Sequence, residues 1–463
     1  MPIGDLAPEL AVLLTAVAVL LLAMVLPQRR HGWCAGLAVL GLGLSMALAL
    51  GQAGAERLTF SGTYALEGAT TWARLAIPGL AILCAGLAPR WLATDRRHGE
   101  FYAMLLFSTL GALAMAGAAD LMQLVMGVLL SSVTGYVLAA YHRDWEISLE
   151  AGMKYFLVGA LANAFLVIGV VFVMGIAGST DYATLSGGIP EDPLALIGLT
   201  LVLTGLFFKL GAVPVHTWVP DVAEGAPVPA AAFLTVVPKL AGAVALYRLV
   251  HLAPGLAALP LLIALVAAAT MTVGNLTAIW QDDLRRLIGW SSVSQTGYAL
   301  MAVAVVGVAP MALPALLGFM TVYGLANIVA FAVVAELRGR TRIADYRGLL
   351  RARPGAVVAL TLAFLSLVGI PPLAGFLGKF ALFSATLGTG FGWLAVVAVA
   401  NTVVSLFYYL RVIAPAVFAA PEGPVETLGG SARAVLWISV AILVGATVLW
   451  APFWASLGQG LLP

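Results

Sequence analysis

The chain has 463 residues, of which 62% are hydrophobic and 10% charged, with a formal net charge of +2. A mean hydropathy of +1.04 excludes an ordinary soluble domain. The two cysteines, Cys34 and Cys84, lie in separate apolar runs without C-x-x-C spacing. That excludes an iron–sulfur or zinc centre built from them and marks both as small core residues.

A helix that crosses a bilayer needs about 20 mainly apolar residues. In chain order the candidate spans are 6–26, 33–51, 73–90, 101–119, 121–141, 152–176, 194–212, 228–250, 256–279, 286–307, 311–336, 355–386, 391–418 and 434–457. They predict an all-α integral membrane protein of about fourteen transmembrane helices, a single polytopic domain over residues 1–463. The first run has no basic segment ahead of it, so it reads as a retained helix rather than a cleaved signal.

Arginine placement supports the count. The odd-numbered loops carry Arg29 and Arg30, then Arg90, Arg96 and Arg97, then Arg143, then Arg285 and Arg286. They continue with Arg338, Arg340, Arg342, Arg347, Arg351 and Arg353, and with Arg411 and Arg433. The even-numbered loops carry only Arg57, Arg74 and Arg248. By the positive-inside rule the odd loops are cytoplasmic and both termini lie on the other side.

Spans seven and twelve contain their own breakers. The seventh runs into "GAVPVHTWVPDVAEGAPVP", with Pro214, Pro220, Pro227 and Pro229, and the twelfth holds "LVGIPPLAGFLGKF", with Gly369, Pro371, Pro372 and Gly375. Proline removes a backbone donor, so each break interrupts the helical hydrogen-bond ladder. Broken helices five spans apart predict two inverted five-helix repeats, approximately 101–250 and 256–418, with peripheral helices at 6–90 and 434–457.

The chain has four lysines, Lys154, Lys209, Lys239 and Lys379, each inside or at the edge of an apolar run. A lysine at the bilayer centre costs about 2.5–3.5 kcal/mol on insertion scales. Lys154 stands near a helix start, where its stem can also lift the charge to the interface. Lys209 sits beside the first break, while Lys239 and Lys379 have apolar sequence on both sides. Desolvation favours the neutral amine and a nearby carboxylate the ammonium, so a lysine between these influences can load and release a proton. Arginine cannot, because it stays protonated.

The expected relay is Lys154, Lys209, Lys239 and Lys379, with His216 inside the first break and Glu150. Glu150 lies four residues before Lys154, which puts both on one helix face as an ion pair. Asp221 and Glu224 read as caps at a helix start. Ser291, Ser292, Tyr298 and Asn327 are polar residues that either hold water or join helices.

The stretches "EAGMKYFLVGALANAF", "FFKLGAVPVHTWVPDVAEGAPVPAAAFLTVVPK", "RRLIGWSSVSQTGY" and "GIPPLAGFLGKFALF" resemble subunit N of proton-pumping NADH-quinone oxidoreductase, respiratory complex I. The likeness covers at least residues 100–415 in order and spacing, and "HTWVPDVAEGAPVPAAAFLTVVPK" carries most of it. It implies an antiporter-like fold with the four lysines along a central axis. Lys209 is then the functional centre, Lys239 the connection between half-channels, and Lys379 the residue facing the next subunit.

The resemblance further implies a chain without a redox cofactor of its own, with NADH, FMN, iron–sulfur clusters and quinone handled by partner subunits. The implied partners are subunit M-like and subunit K-like neighbours and the lipid of a bacterial inner membrane; nucleic acid is not among them. One departure stands out. The family's fifth helix usually reads G-L-E-L-L-S-L, and here the stretch is "GVLLSSV", with Leu129 in the glutamate's place. Lys209 is thereby left without its expected counter-ion. Trp290 and Gln295 stand where the family often has tyrosine and histidine.

Three functions fit: a proton-translocating subunit of a redox-driven complex, a stand-alone cation/proton antiporter, and a non-pumping structural subunit. Scarce intramembrane carboxylates and the subunit N signature weigh against the second, and four intact lysines against the third. Leu129 keeps the third open.

Overall fold

The computed structural model describes residues 2–189, 192–420, 426–457 and 461–462. The helices are α1 (Ala7–Val25), α2 (Gly32–Gly51), α3 (Gly68–Trp91), α4 (His98–Ala116), α5 (Leu121–Ala139), α6 (Glu146–Ala177), α7 (Tyr182–Leu185), α8 (Pro193–Leu210), α9 (Trp218–Gly225) and α10 (Val228–His251). They continue as α11 (Ala258–Ile279), α12 (Leu284–Ala304), α13 (Ala312–Glu336), α14 (Leu349–Ala352), α15 (Pro354–Val368), α16 (Ala374–Thr386), α17 (Gly392–Phe418), α18 (Ser431–Val448) and α19 (Trp450–Ser456). An antiparallel hairpin, β1 (Arg57–Thr59) and β2 (Tyr64–Leu66), joins α2 to α3, with Leu58 opposite Ala65.

Among the described residues, twelve helices are long and apolar enough to cross a membrane. The other two expected passes have separate physical explanations. Span twelve is split into α15 and α16, each too short to cross alone, as its Gly and Pro run predicts. Span ten became α12, which is 21 residues long but carries Arg285, Arg286 and the polar run Ser291–Thr296. It is tolerated because it is enclosed by α9, α10, α11, α13, α16 and α17 rather than by lipid. The last expected span is shorter than predicted: α18 ends at Val448, and a separate turn of helix, α19, follows.

α10 and α13 form the centre of the bundle, and nearly every residue of both is buried. α3, α4, α8 and α12 pack around α10, and α15, α16 and α18 pack around α13. The first break follows Leu210, where Gly211 caps α8 with φ +70°, and the chain turns through Pro214 before α9 begins. The second follows Val368, where Gly369 caps α15 with φ +90°. Positive φ is the conformation that glycine adopts without cost, so both breaks are written as glycine followed by proline.

Two arginines that the loop count assigned to even-numbered loops are instead buried. Arg74 lies inside α3, where Nε and Nη2 donate to Glu9 at 2.8 and 2.7 Å; Nη1 donates to Gln52, and the Tyr64 hydroxyl donates to Glu9 as well. Arg248, in the last turn of α10, pairs with Glu67 at 2.5 Å, and both are almost wholly enclosed. Each guanidinium is tolerated there because a carboxylate from a distant helix or loop meets it. Of the three, only Arg57 lies outside a helix, and it pairs with Asp5.

Removing one member of a buried pair leaves an uncompensated charge and costs about 3–5 kcal/mol, whereas replacing both with apolar groups costs far less. Glu9→Leu alone is therefore expected to lower the thermal unfolding midpoint in detergent markedly. Glu9→Leu combined with Arg74→Met is expected to recover most of that loss.

Candidate functional site

Three of the four lysines lie in the interior. Lys209 and Lys239 are fully buried, and Lys379 is 2% exposed. Lys209 occupies the last turn of α8, two residues before the first break. Its Nζ has no hydrogen-bonding partner among the described residues. Lys239 faces the same break from α10, close enough that a Cβ on Gly211 would stand 3.3 Å from its Nζ. That Nζ donates to the Ser292 carbonyl at 3.0 Å, to the Ser292 hydroxyl at 2.7 Å and to the Thr296 hydroxyl at 3.2 Å.

Lys379 lies beyond the second break, on α16. Its Nζ reaches back to the Val368 carbonyl at 3.0 Å, at the end of α15, and stands 3.9 Å from the centre of the Tyr298 ring. A helix C-terminus carries partial negative charge and a ring face attracts cations, so both contacts suit an ammonium without a carboxylate.

α12 joins the two breaks. The last carbonyls of a helix have no intrahelical donor, and in a membrane interior they need one. Thr296 donates its hydroxyl to the Leu210 carbonyl at the end of α8, at 2.7 Å. Its neighbour Gln295 donates to the Leu367 carbonyl at the end of α15, at 3.0 Å. Consecutive residues of one helix thus hold the two half-helix ends. The polar connection continues from the Ser292 hydroxyl to the Tyr323 hydroxyl at 2.6 Å, and from there to the Thr235 carbonyl at 2.7 Å. Between this group and α15 lies a small cavity of about one water's volume, lined by Gln295, Tyr323 and Ser366 and by the apolar Phe319, Val322 and Leu367. Gln295 Oε1 and Ser366 Oγ are buried and have no hydrogen-bonding partner among the described residues.

His216 lies in the first break, its ring centre 5.6 Å from that of Trp290. His216 Nδ1 and Trp290 Nε1 are also buried without partners among the described residues. Among the described residues, three orphaned polar atoms therefore belong to residues at or facing the first break. Leu129 lies on α5, partly buried against the apolar core. No ion pair reaches Lys209 among the described residues.

Lys154 and Glu150 stand apart from this interior group. Both are largely exposed on this chain, and they form the expected ion pair at 2.6 Å. Asp221 and Glu224 depart from the sequence reading as caps. Asp221 meets Lys154 at 3.3 Å and Arg286 at 2.6 Å, and Glu224 meets Arg286 at 2.8 Å. The reason is α12, whose start places Arg286 against α9, while Arg285 donates to the Ala223 and Ala226 carbonyls. The network fixes the short helix after the break, and a stack of Trp218 on Tyr155, ring centres 4.3 Å apart, holds its other end.

Ser291 and Asn327 join helices, through Tyr409 and Thr235 respectively, whereas Ser292 and Tyr298 touch lysines. Sequence reading missed Thr296, Tyr323 and Ser366 and gave Gln295 no role. The available signal was the run "SSVSQT", too polar for a lipid-facing helix.

The chain matches the family model described as NADH:quinone oxidoreductase/Mrp antiporter, transmembrane, over residues 118–405. It is 44% identical over 415 residues to NADH-quinone oxidoreductase subunit N 1 of Streptomyces griseus, covering 89% of this chain and 88% of that protein. It is 36% identical over a 477-residue alignment to NADH-quinone oxidoreductase subunit N of Trichlorobacter lovleyi, covering 98% and 93%. Among solved structures it is similar to a chain of respiratory complex I from Thermus thermophilus with bound aureothin. That likeness has a TM-score of 0.86 at 32% identity and covers 98% of this chain and 100% of that one. A chain of the Mrp complex from Dietzia sp. DQ12-45-1b shares the fold, with a TM-score of 0.88 at 20% identity. Fold and broken helices together define an antiporter-like membrane subunit. Within that class, the chain belongs to the NADH-quinone oxidoreductase subunit N family.

Gly211 tests the geometry of the first break. Its φ is +70°, and a Cβ there would stand 2.4 Å from Val219, whereas a Cβ on Gly242 would meet Lys209 and Leu210 at an ordinary 3.5 Å. Gly211→Ala is expected to destabilise the protein by more than about 1 kcal/mol. Gly242→Ala is expected to stay within about 0.5 kcal/mol of wild type, with both read from unfolding in detergent.

Proposed function

We propose that this chain translocates protons as a membrane subunit of NADH-quinone oxidoreductase, through a relay of Lys154, Lys209, Lys239, Lys379, His216 and Glu150. The observation that carries this reading is the fully buried Lys209 ammonium, which no group among the described residues holds. A charged amine without a partner is costly in an apolar interior, and it is useful there if its proton comes and goes. Lys239 supports the same role, because its hydroxyl and carbonyl partners accept bonds without fixing the proton.

In this reading protons enter near the Glu150–Lys154 pair and pass Lys209 and Lys239 around the first break. They cross by Ser292, Thr296 and Gln295 and reach Lys379 at the second. The two half-helix sites belong to repeats 101–250 and 256–418. The arginine-rich loops face the cytoplasm of a bacterial inner membrane and both termini the opposite side. Subunits M-like and K-like are the neighbours, and the redox cofactors sit in other chains.

Lys209→Ala is expected to lower proton-to-electron stoichiometry and quinone reductase turnover of the assembled complex together, by tenfold or more in turnover. Wild-type stoichiometry in that variant points instead to the structural role that Leu129 allows. Leu129→Glu supplies the family's missing carboxylate, and it is expected to assemble and to shift the pH optimum of pumping. An unchanged optimum in the assembled variant counts against a working proton site at Lys209.

A further inference from the structure

Lys239 meets two hydroxyls, and the hydrogens on those hydroxyls run to different kinds of acceptor. A carbonyl only accepts, so the donor in each of these bonds is fixed. Thr296 accepts from Lys239 Nζ at 3.2 Å and donates to the Leu210 carbonyl at 2.7 Å. Leu210 ends α8, and its carbonyl has no donor four residues on, so Thr296 cannot turn away without orphaning it. Ser292 accepts from Lys239 Nζ at 2.7 Å. Tyr323 donates to the Thr235 carbonyl at 2.7 Å, so in its 2.6 Å contact with Ser292 it is the acceptor. The chain of donors therefore runs from Lys239 through Ser292 to Tyr323.

The acceptor at the end of that chain differs from the Leu210 carbonyl. Thr235 lies inside α10, where helical geometry already supplies the Lys239 backbone N–H to its carbonyl. The Tyr323 hydroxyl is a second donor there and can turn away without leaving an orphan. It can turn into the small cavity beside α15, which Tyr323 lines together with Gln295 and Ser366. Gln295 is committed through its amide nitrogen to the Leu367 carbonyl, and an amide lacks the single group that donates and accepts in a hydroxyl.

The far wall of the cavity is the second break, with Ser366 from α15 and Gly375 from α16. The two arms are so close that a Cβ on Gly375 would stand 2.8 Å from Ser366 Oγ. One turn beyond Gly375 is Lys379, whose Nζ bonds the Val368 carbonyl, two residues past Ser366, at 3.0 Å.

We propose that Tyr323 passes protons from Lys239 towards Lys379, its hydroxyl turning between the Thr235 carbonyl and a water in this cavity. The inference rests on the lysine relay of the proposed function. In the forward step a proton of the Lys239 ammonium goes to Ser292 Oγ, and the Ser292 proton goes to Tyr323 Oη. The Tyr323 proton goes to the water, which gives one of its own to the neutral amine of Lys379. Lys239 ends as the amine and Lys379 as the ammonium, and rotation of the hydroxyls restores the starting chain. Ser366 is the positioning residue for the water.

The test uses the assembled complex in vesicles, with Y323F, with difluorotyrosine in place of Tyr323, and with K209A as control for the relay itself. Y323F keeps the ring and removes the hydroxyl. It is expected to lower quinone reductase turnover by roughly a hundredfold, the lower end of what one proton-transferring group contributes. The proton-to-electron ratio is expected to fall with it. Difluorotyrosine keeps the shape and makes the hydroxyl more acidic, so it is expected to move the pH profile of turnover to lower pH.

Wild-type turnover and ratio in Y323F overturn the proposal. If K209A is impaired in the same preparation, the lysine relay stands and only the role of Tyr323 falls; if K209A is also unimpaired, both fall. Slowed turnover at an unchanged ratio, with an unmoved pH profile, marks a tyrosine that only joins α13 to α10 and α12, and it overturns the proposal too. Where Y323F does not assemble, the difluorotyrosine protein decides, and an unmoved profile there is again the overturning result.

Discussion

Two helices that end inside a membrane leave carbonyl groups with no donor, and the rest of this structure follows from how those groups are satisfied. Thr296 bonds the end of α8 and Gln295 the end of α15. Because both donors come from α12, that helix must be polar, and because it is polar it must be shielded from lipid. Its enclosure by α9, α10, α11, α13, α16 and α17 places it between the two breaks. The same enclosure puts Ser292 and Thr296 against Lys239, and Tyr298 against Lys379.

The buried cations fall into two groups. Arg74 and Arg248 are each held by a carboxylate from another part of the chain. A guanidinium stays charged, so a permanent counter-ion is the solution that makes its burial tolerable, and these pairs fasten α3 and α10 to their surroundings. Among the described residues, Lys209, Lys239 and Lys379 have no carboxylate within bonding distance, and the latter two are held by carbonyls, hydroxyls and a ring face. Neutral acceptors favour the ammonium modestly and do not forbid the amine. That difference separates side chains that hold the bundle together from the lysines proposed to exchange a proton. Lys154, paired with Glu150 and Asp221 at the margin, stands between the groups.

The first break combines a departure from the family pattern with an unusual local environment. Leu129 replaces the carboxylate that the subunit N resemblance leads one to expect. The first break itself holds His216 against Trp290, both with buried polar atoms that lack partners among the described residues. Gln295, where the subunit N resemblance leads one to expect histidine, is the donor that ties α12 to α15.

What the sequence determined by itself was everything that depends on local composition. Apolar runs of membrane length marked the helices, Gly211 with Pro214 and Gly369 with Pro371 marked the interruptions, and four scarce lysines in oily segments marked the interior charges. Spacing alone also disclosed the Glu150–Lys154 pair, since four residues make one helical turn. Only the tertiary structure decided which helices were sheltered, and so why α12 carries polar residues that no lipid-facing helix would bear. It also decided that Arg74 and Arg248 lie inside rather than in loops, that Asp221 and Glu224 bind Arg286 rather than cap a helix, and that one helix serves both breaks. Those outcomes join residues from 62 to 181 positions apart, and contacts at that separation leave no periodic trace along the chain.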